Sequence, residues 1–163
     1  MKADMFFHLD GPCLVDEALR AKLVKAKKKI AFAESITGGL LGAALTQQSG
    51  SSAYFAGSAV CYCDKAKTRV LGVDKTILEK KGAVSHACAA AMAQGALELY
   101  GCDIALSVTG FADPANKDAG KVYIGWALKG ADAMAKSFKF SGTRAHVRLC
   151  AAQAVLEKLK LLV

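Results

Sequence analysis

A three-layer α/β/α domain with a mixed, mainly parallel central sheet is what this sequence predicts, on three observations. Short apolar runs alternate with segments of helical period along most of the chain. One of those runs, "DIALSVTG" at residues 103–110, is apolar almost without a break, as befits a strand buried on both faces. Near the end, "VYIGWALK" and "AMAKSFKF" flank a turn at Gly130 and add a hairpin, hence antiparallel pairing, to a sheet otherwise built from crossovers.

The elements follow in order. Apolar residues at 15, 18, 19, 23 and 24 with charges between them predict an amphipathic helix over Val15 to Lys28. "KIAFAES" reads as a short buried strand, and "GGLLGAALTQQ" as an apolar helix that opens after the Gly pair and stops at Ser49 and Gly50. "YFAGSAVCYC" is an extended run, followed by Asp64 as the expected cap of a helix carrying Ala66, Val70 and Leu71. Gly72 breaks that helix, and a short one through Leu78 ends at Gly82. Ser85 then caps an alanine-rich helix from about His86 to Tyr100, suited to packing within the subunit or between copies in a homo-oligomer. "FADPANKDAGK" is a loop by its Pro, Asn, Asp and Gly, and an amphipathic helix from about Thr143 to Leu162 closes the chain.

With 163 residues and 53% apolar composition, residues 1–163 are expected to form one domain around one packed core. No run approaches the roughly 18 apolar residues of a membrane span. No apolar leader follows Met1, so a soluble, cytoplasmic protein without a membrane partner is expected. The net charge of +8 favours an anionic partner, a phosphorylated small molecule or a nucleic acid. Surface aromatics interleaved with the basic residues, which single-strand binders use for stacking, are missing, so nucleic acid is the weaker of the two. Of six cysteines, Cys61 and Cys63 would share one face of a strand, but no second pair or nearby His completes zinc spacing. Neither a metal nor another cofactor is therefore expected.

Two stretches rhyme. "ESITGG", residues 34–39, and "SVTGFA", residues 107–112, each follow an apolar run and so stand where strands end, the place at which open α/β sheets bind ligands. Gly38 and Gly39 let backbone approach a ligand, and the helix start after Thr37 suits an anion. Ser35 and Thr37 supply hydroxyls for hydrogen bonding or, beside a base, for nucleophilic attack, while Thr109 and Gly110 line the opposite wall. A helix cap and a closed turn would account for the same hydroxyls without a site. His8, His86 and His146 form no triad pattern, so a base would have to be Lys or Tyr. "YCDKAK" brings Tyr62, Lys65 and Lys67 to one strand–helix junction.

Together, "AESITGGLLGAALTQQSGSSAYFAGSAVCYCDKAKTRVLGV", "GAVS", "SVTG", "GKVYIGWA" and "GTRAHVR" resemble the C-terminal domain of the CinA family, the nicotinamide mononucleotide (NMN) amidohydrolases also called PncC. The resemblance runs in order from about Phe32 to the final helix. It implies hydrolysis of the NMN carboxamide to nicotinate mononucleotide and ammonia. By position it makes Ser35 the nucleophile, Tyr62 and Lys67 its activating partners, and Glu34, Thr109 and Arg144 residues of the site. Lys67 would take the serine proton directly or through Tyr62, with Lys65 open as an alternative base. Amides near Gly38 or the Thr109 hydroxyl would hold the oxyanion, and Arg144 or the helix start after Thr37 the phosphate. Three features depart from the family pattern: Ile36 replaces Cys, "YCDKAK" replaces "YSNEAK", and the loop "GFADPANKDAG" is several residues shorter than usual and carries Asp113 where glycine is usual. A carboxylate there would repel a phosphate, which keeps two other readings in play: nucleotide binding without turnover, and a basic adaptor working with nucleic acid. Larger members carry a further N-terminal nucleotide-pyrophosphatase domain, which this chain is expected to lack.

Overall fold

The computed structural model describes residues 14–47 and 49–163; His8 and Cys13 lie outside them. Helix α1, Glu17–Ala26, begins where the Asp16 carboxylate accepts the Leu19 amide at 2.6 Å and ends where Lys27 turns left-handed, φ 53°. Its capped length is therefore shorter than the apolar period alone suggests. Strand β1, Ile30–Glu34, is buried at every residue and leads through a turn into α2, Leu40–Thr46. A 3-10 turn, Ser51–Ala53, precedes β2, Phe55–Val60. Three helices follow: α3, Asp64–Leu71; α4, Lys75–Lys81; and α5, His86–Tyr100, whose first turn is capped by Ser85 through the Cys88 amide at 3.1 Å. Strands β3, Ile104–Gly110, β4, Lys121–Leu128, and β5, Met134–Lys139, then lead to α6, Arg144–Leu162.

The five strands lie in the order β2-β1-β3-β4-β5. β1 pairs in parallel with β2 and β3, whereas β4 is antiparallel to both β3 and β5, so β4 alone runs against the rest. Alternation along the buried strands sends Ile30, Phe32, Ile104 and Leu106 to one face, under α1, α2 and α6. It sends Ala31, Ala33, Ala105 and Ala127 to the other, under α3, α4 and α5. The small side chains on the second face let α5 lie close against the sheet. Helices on both faces of a mixed sheet make the three layers that the sequence predicts.

Two local expectations are corrected. β2 stops at Val60, so Cys61 is buried at 1% exposure while Cys63 has already left the strand as the exposed residue before α3; the two do not share a face. Asp64 is the first residue inside α3, and the cap position belongs to Cys63, which makes no side-chain cap bond. Asp64 still carries negative charge in the first turn, where the helix dipole favours it. Among the described residues no helix is long and apolar enough to cross a membrane.

Topology places the ligand crevice. From β1 the chain crosses through α2 to β2 on one side, and from β2 it returns over β1 through α3, α4 and α5 to β3 on the other. The connection leaving the carboxyl end of β1 thus runs toward the β2 edge, whereas that leaving β3 is the loop of residues 111–120 that turns back into antiparallel β4, toward the β5 edge. A crevice opens between them at that switch point.

Candidate active site

Ser35 is the first residue past β1, and its amide continues the ladder by donating to the Val108 carbonyl at 3.0 Å. Its side chain meets α3. Lys67 and Leu71, one turn apart, point inward from that helix, and Lys67 Nζ donates to Ser35 Oγ at 3.3 Å and to the Cys61 carbonyl at 3.1 Å. The lysine is only 2% exposed, and none of the ion pairs among the described residues involves it. Both acceptors around this buried amine are neutral. Lys65 is exposed and borders a separate groove with Arg69 and Lys75, so Lys67 is the lysine that faces the serine.

Glu34 is fully buried and its two oxygens accept five hydrogen bonds. Oε2 takes the Thr37 hydroxyl at 2.8 Å and the Gly39 and Leu41 amides at 2.9 and 3.1 Å; Oε1 takes the Gly42 amide at 2.9 Å and the Ser58 hydroxyl at 2.7 Å. The start of α2 is therefore filled from inside by a carboxylate. This corrects the expectation of a phosphate there: Glu34 and Thr37 organise the turn, with Gly38 and Gly39 supplying its left-handed residues at φ 60° and 100°.

The second stretch lines the same crevice, but not as a copy of the first. Ser107 lies opposite Ala33, two residues before Ser35, and its hydroxyl donates to the Ala89 carbonyl, tying α5 to the sheet. Thr109, 1% exposed, donates its hydroxyl to the Ala83 carbonyl at 2.8 Å. That proton is already used, so the Thr109 hydroxyl is not a free oxyanion donor. By contrast, the Ile36 and Thr37 amides have no acceptor among the described residues.

A pocket of about 230 Å³ joins these groups, bordered by Ser35, Lys67, Tyr62, Asp64 and Arg144, by Ala83–Val84, and by Thr109 to Asp113. Tyr62 is 60% exposed and its hydroxyl accepts from Arg144 Nη2 at 2.8 Å. Tyr62 therefore stands at the mouth beside Arg144, while Lys67 reaches Ser35 without it. Asp113 lines the pocket, held in a turn by the Ala115 amide at 3.0 Å. Gly110 borders it at the end of β3.

Sequence reasoning singled out Arg144 and passed over Arg148. Arg148 is half-buried and its guanidinium donates to the Ile36 carbonyl at 3.1 Å and the Thr37 carbonyl at 2.8 Å. The signal was the four-residue spacing within "RAHVR", which puts both arginines on one face of α6. Burial pushes the Cys88 thiol up to about 11 and raises those of Cys61 and Cys102 as well. Among the described residues no group of three or more His, Cys, Asp or Glu gathers in a way that could hold a metal ion.

The family model described as the CinA C-terminal domain matches residues 14–163. The chain belongs to the CinA C-terminal domain family. A CinA-like protein of Mycolicibacterium vanbaalenii is 43% identical over 146 residues, covering 87% of this chain and 34% of that protein. One of Chlorobium limicola is 39% identical over 165 residues, covering 96% of this chain and 38% of the relative. The chain thus spans about a third of the length of these CinA-like relatives. Solved CinA structures are nearer its size. A competence damage-inducible protein A of Klebsiella pneumoniae aligns with a TM-score of 0.84 at 34% identity, covering 88% of this chain and 91% of that one. A competence/damage inducible protein of Agrobacterium tumefaciens gives 0.86 at 32%, covering 93% and 96%.

Proposed function

We propose that this CinA domain is an amidohydrolase that cleaves the carboxamide of NMN, or of a closely related phosphorylated nucleotide, through an ester on Ser35. The observation that carries the reading is a buried lysine amine 3.3 Å from the hydroxyl of a serine at a strand-to-helix turn, at the wall of a pocket of about 230 Å³. Ser35 Oγ attacks the amide carbon while Lys67 takes the hydroxyl proton. The Cys61 carbonyl keeps the amine aimed. Charge builds on the amide oxygen, for which the unpaired Ile36 amide, next after the nucleophile, is the first donor. Lys67 then passes its proton to the departing nitrogen and ammonia leaves. Water, giving its proton to the same amine, attacks the ester and releases nicotinate mononucleotide with Ser35 restored. Arg144 at the pocket mouth is the group suited to the substrate phosphate.

One observation favours a second reading, nucleotide binding without turnover: Asp113 lines the pocket and adds a negative charge where a phosphate would approach. Ammonia release from NMN separates the two. The amidohydrolase reading expects turnover by the parent and a loss of about a thousand-fold or more in both Ser35→Ala and Lys67→Met. Parent-level ammonia release by Ser35→Ala would overturn it, and NMN binding without ammonia would establish the second reading.

A further inference from the structure

Arg148 bonds no carboxylate among the described residues; its guanidinium is spent on two successive main-chain carbonyls directly after the nucleophile. None of the described peptide bonds is cis, and in a planar trans peptide the carbonyl and the amide point in opposite directions. The Ile36 carbonyl turned toward Arg148 therefore turns the Thr37 amide, which belongs to the same peptide unit, away from α6. That amide has no acceptor among the described residues, although Thr37 itself is fully buried. Thr37 does not border the pocket, whereas Ile36, the residue before it, does. The next peptide is fixed at both ends: the Thr37 carbonyl is held by Arg148, and the Gly38 amide donates to the Ser35 carbonyl at 3.1 Å. The guanidinium comes this close because residue 38 is glycine. A Cβ there would lie 3.2 Å from Arg148 Nη2, at a φ of +60° that strains any other residue.

We propose that Arg148 is a positioning residue: by holding the Ile36 and Thr37 carbonyls it fixes the turn after Ser35, so that the Ile36 amide at the pocket wall stays aimed at the oxyanion formed when Ser35 attacks. Arg148 does not border the pocket, and it differs in this from Arg144, four residues earlier and at the pocket mouth. The inference rests on the reading of Ser35 as nucleophile, so its test includes a reaction of Ser35 that needs no knowledge of the natural substrate.

Arg148→Met and Arg148→Lys are compared with the parent and with Ser35→Ala in two assays: steady-state ammonia release from NMN, and the rate at which an alkyl fluorophosphonate phosphonylates the protein. In the second, the serine oxygen bonds to phosphorus, fluoride leaves, and the phosphoryl oxygen occupies the oxyanion position. Circular dichroism and the unfolding midpoint check that each variant is folded. The expected result is a fall in kcat of about 100-fold in Arg148→Met with KM changed less than about threefold, the scale of losing one oxyanion donor. Phosphonylation at Ser35 slows in parallel, methylguanidinium added to Arg148→Met restores part of the rate, and Arg148→Lys falls between. Parent-like kcat and labelling in a folded Arg148→Met overturn the positioning role and leave Ser35 as nucleophile. A parent that is neither labelled nor active overturns the Ser35 reading, and the positioning role with it.

Discussion

At the scale of single residues, the site holds two buried ionisable side chains with different surroundings. Lys67 faces the Ser35 hydroxyl, whereas Glu34, one residue earlier, accepts five hydrogen bonds from the turn, the start of α2 and β2. The structure thus separates what the family resemblance grouped together. Glu34→Gln tests the distinction, because the amide would turn an NH2 toward groups that are themselves donors. Urea unfolding is expected to show a loss of about 2–4 kcal/mol, the cost of charge-assisted bonds replaced by unmatched donors. An unchanged midpoint would mean that the carboxylate does not hold the turn. Neither the role of Glu34 nor that of Arg148 was legible in sequence, since both act by binding main-chain atoms, which leave no side-chain motif. Ser35 and Lys67 were legible because resemblance aligned them, although composition alone left Lys65 an equal candidate.

At the scale of elements, α3 carries the proposed base, and its position is set by α5. Gly95 of α5 faces the Leu71 carbonyl at the end of α3, and a Cβ built on Gly95 would sit well inside contact distance of that oxygen. Alanine is the better helix former by about 1 kcal/mol, but the opposing group is backbone, and overpacking costs about 1–3 kcal/mol. The clash should win, with α3 displaced. Gly95→Ala is expected to lower the melting temperature by a few degrees and kcat by about tenfold or more, as Lys67 moves off Ser35. A variant with raised stability and full activity would show that α3 is not held by this contact. The helix stops at Gly72 and Gly82, the Ser85 cap and the hairpin at Gly130 were readable from cap and turn residues, whereas the Asp64 cap and the face-sharing of Cys61 and Cys63 were misread. Nothing in the apolar pattern of "YFAGSAVCYC" marks Val60 as the last strand residue. Likewise the two rhyming stretches look equivalent in sequence, yet Ser35 stands beyond its strand and Ser107 inside one.

At the scale of the whole molecule, strand order explains why these groups meet. The reversal at β1 brings the turn after β1, the end of β3, the "GAVS" segment before α5 and the first turns of α3 and α6 around one pocket, from positions spread over most of the chain. Alternating strands and helices made the layered class legible, but strand order is a property of crossovers and only the folded chain reveals it. The central claim is a covalent ester on Ser35, and quenched-flow mass spectrometry tests it most directly. Acid quench of the protein mixed with NMN, followed by proteolysis, should yield the peptide containing Ser35 heavier by the nicotinate mononucleotide acyl group, and unmodified peptide from Ser35→Ala. Steady turnover with no adduct at any quench time, or an adduct on another residue, would contradict the account.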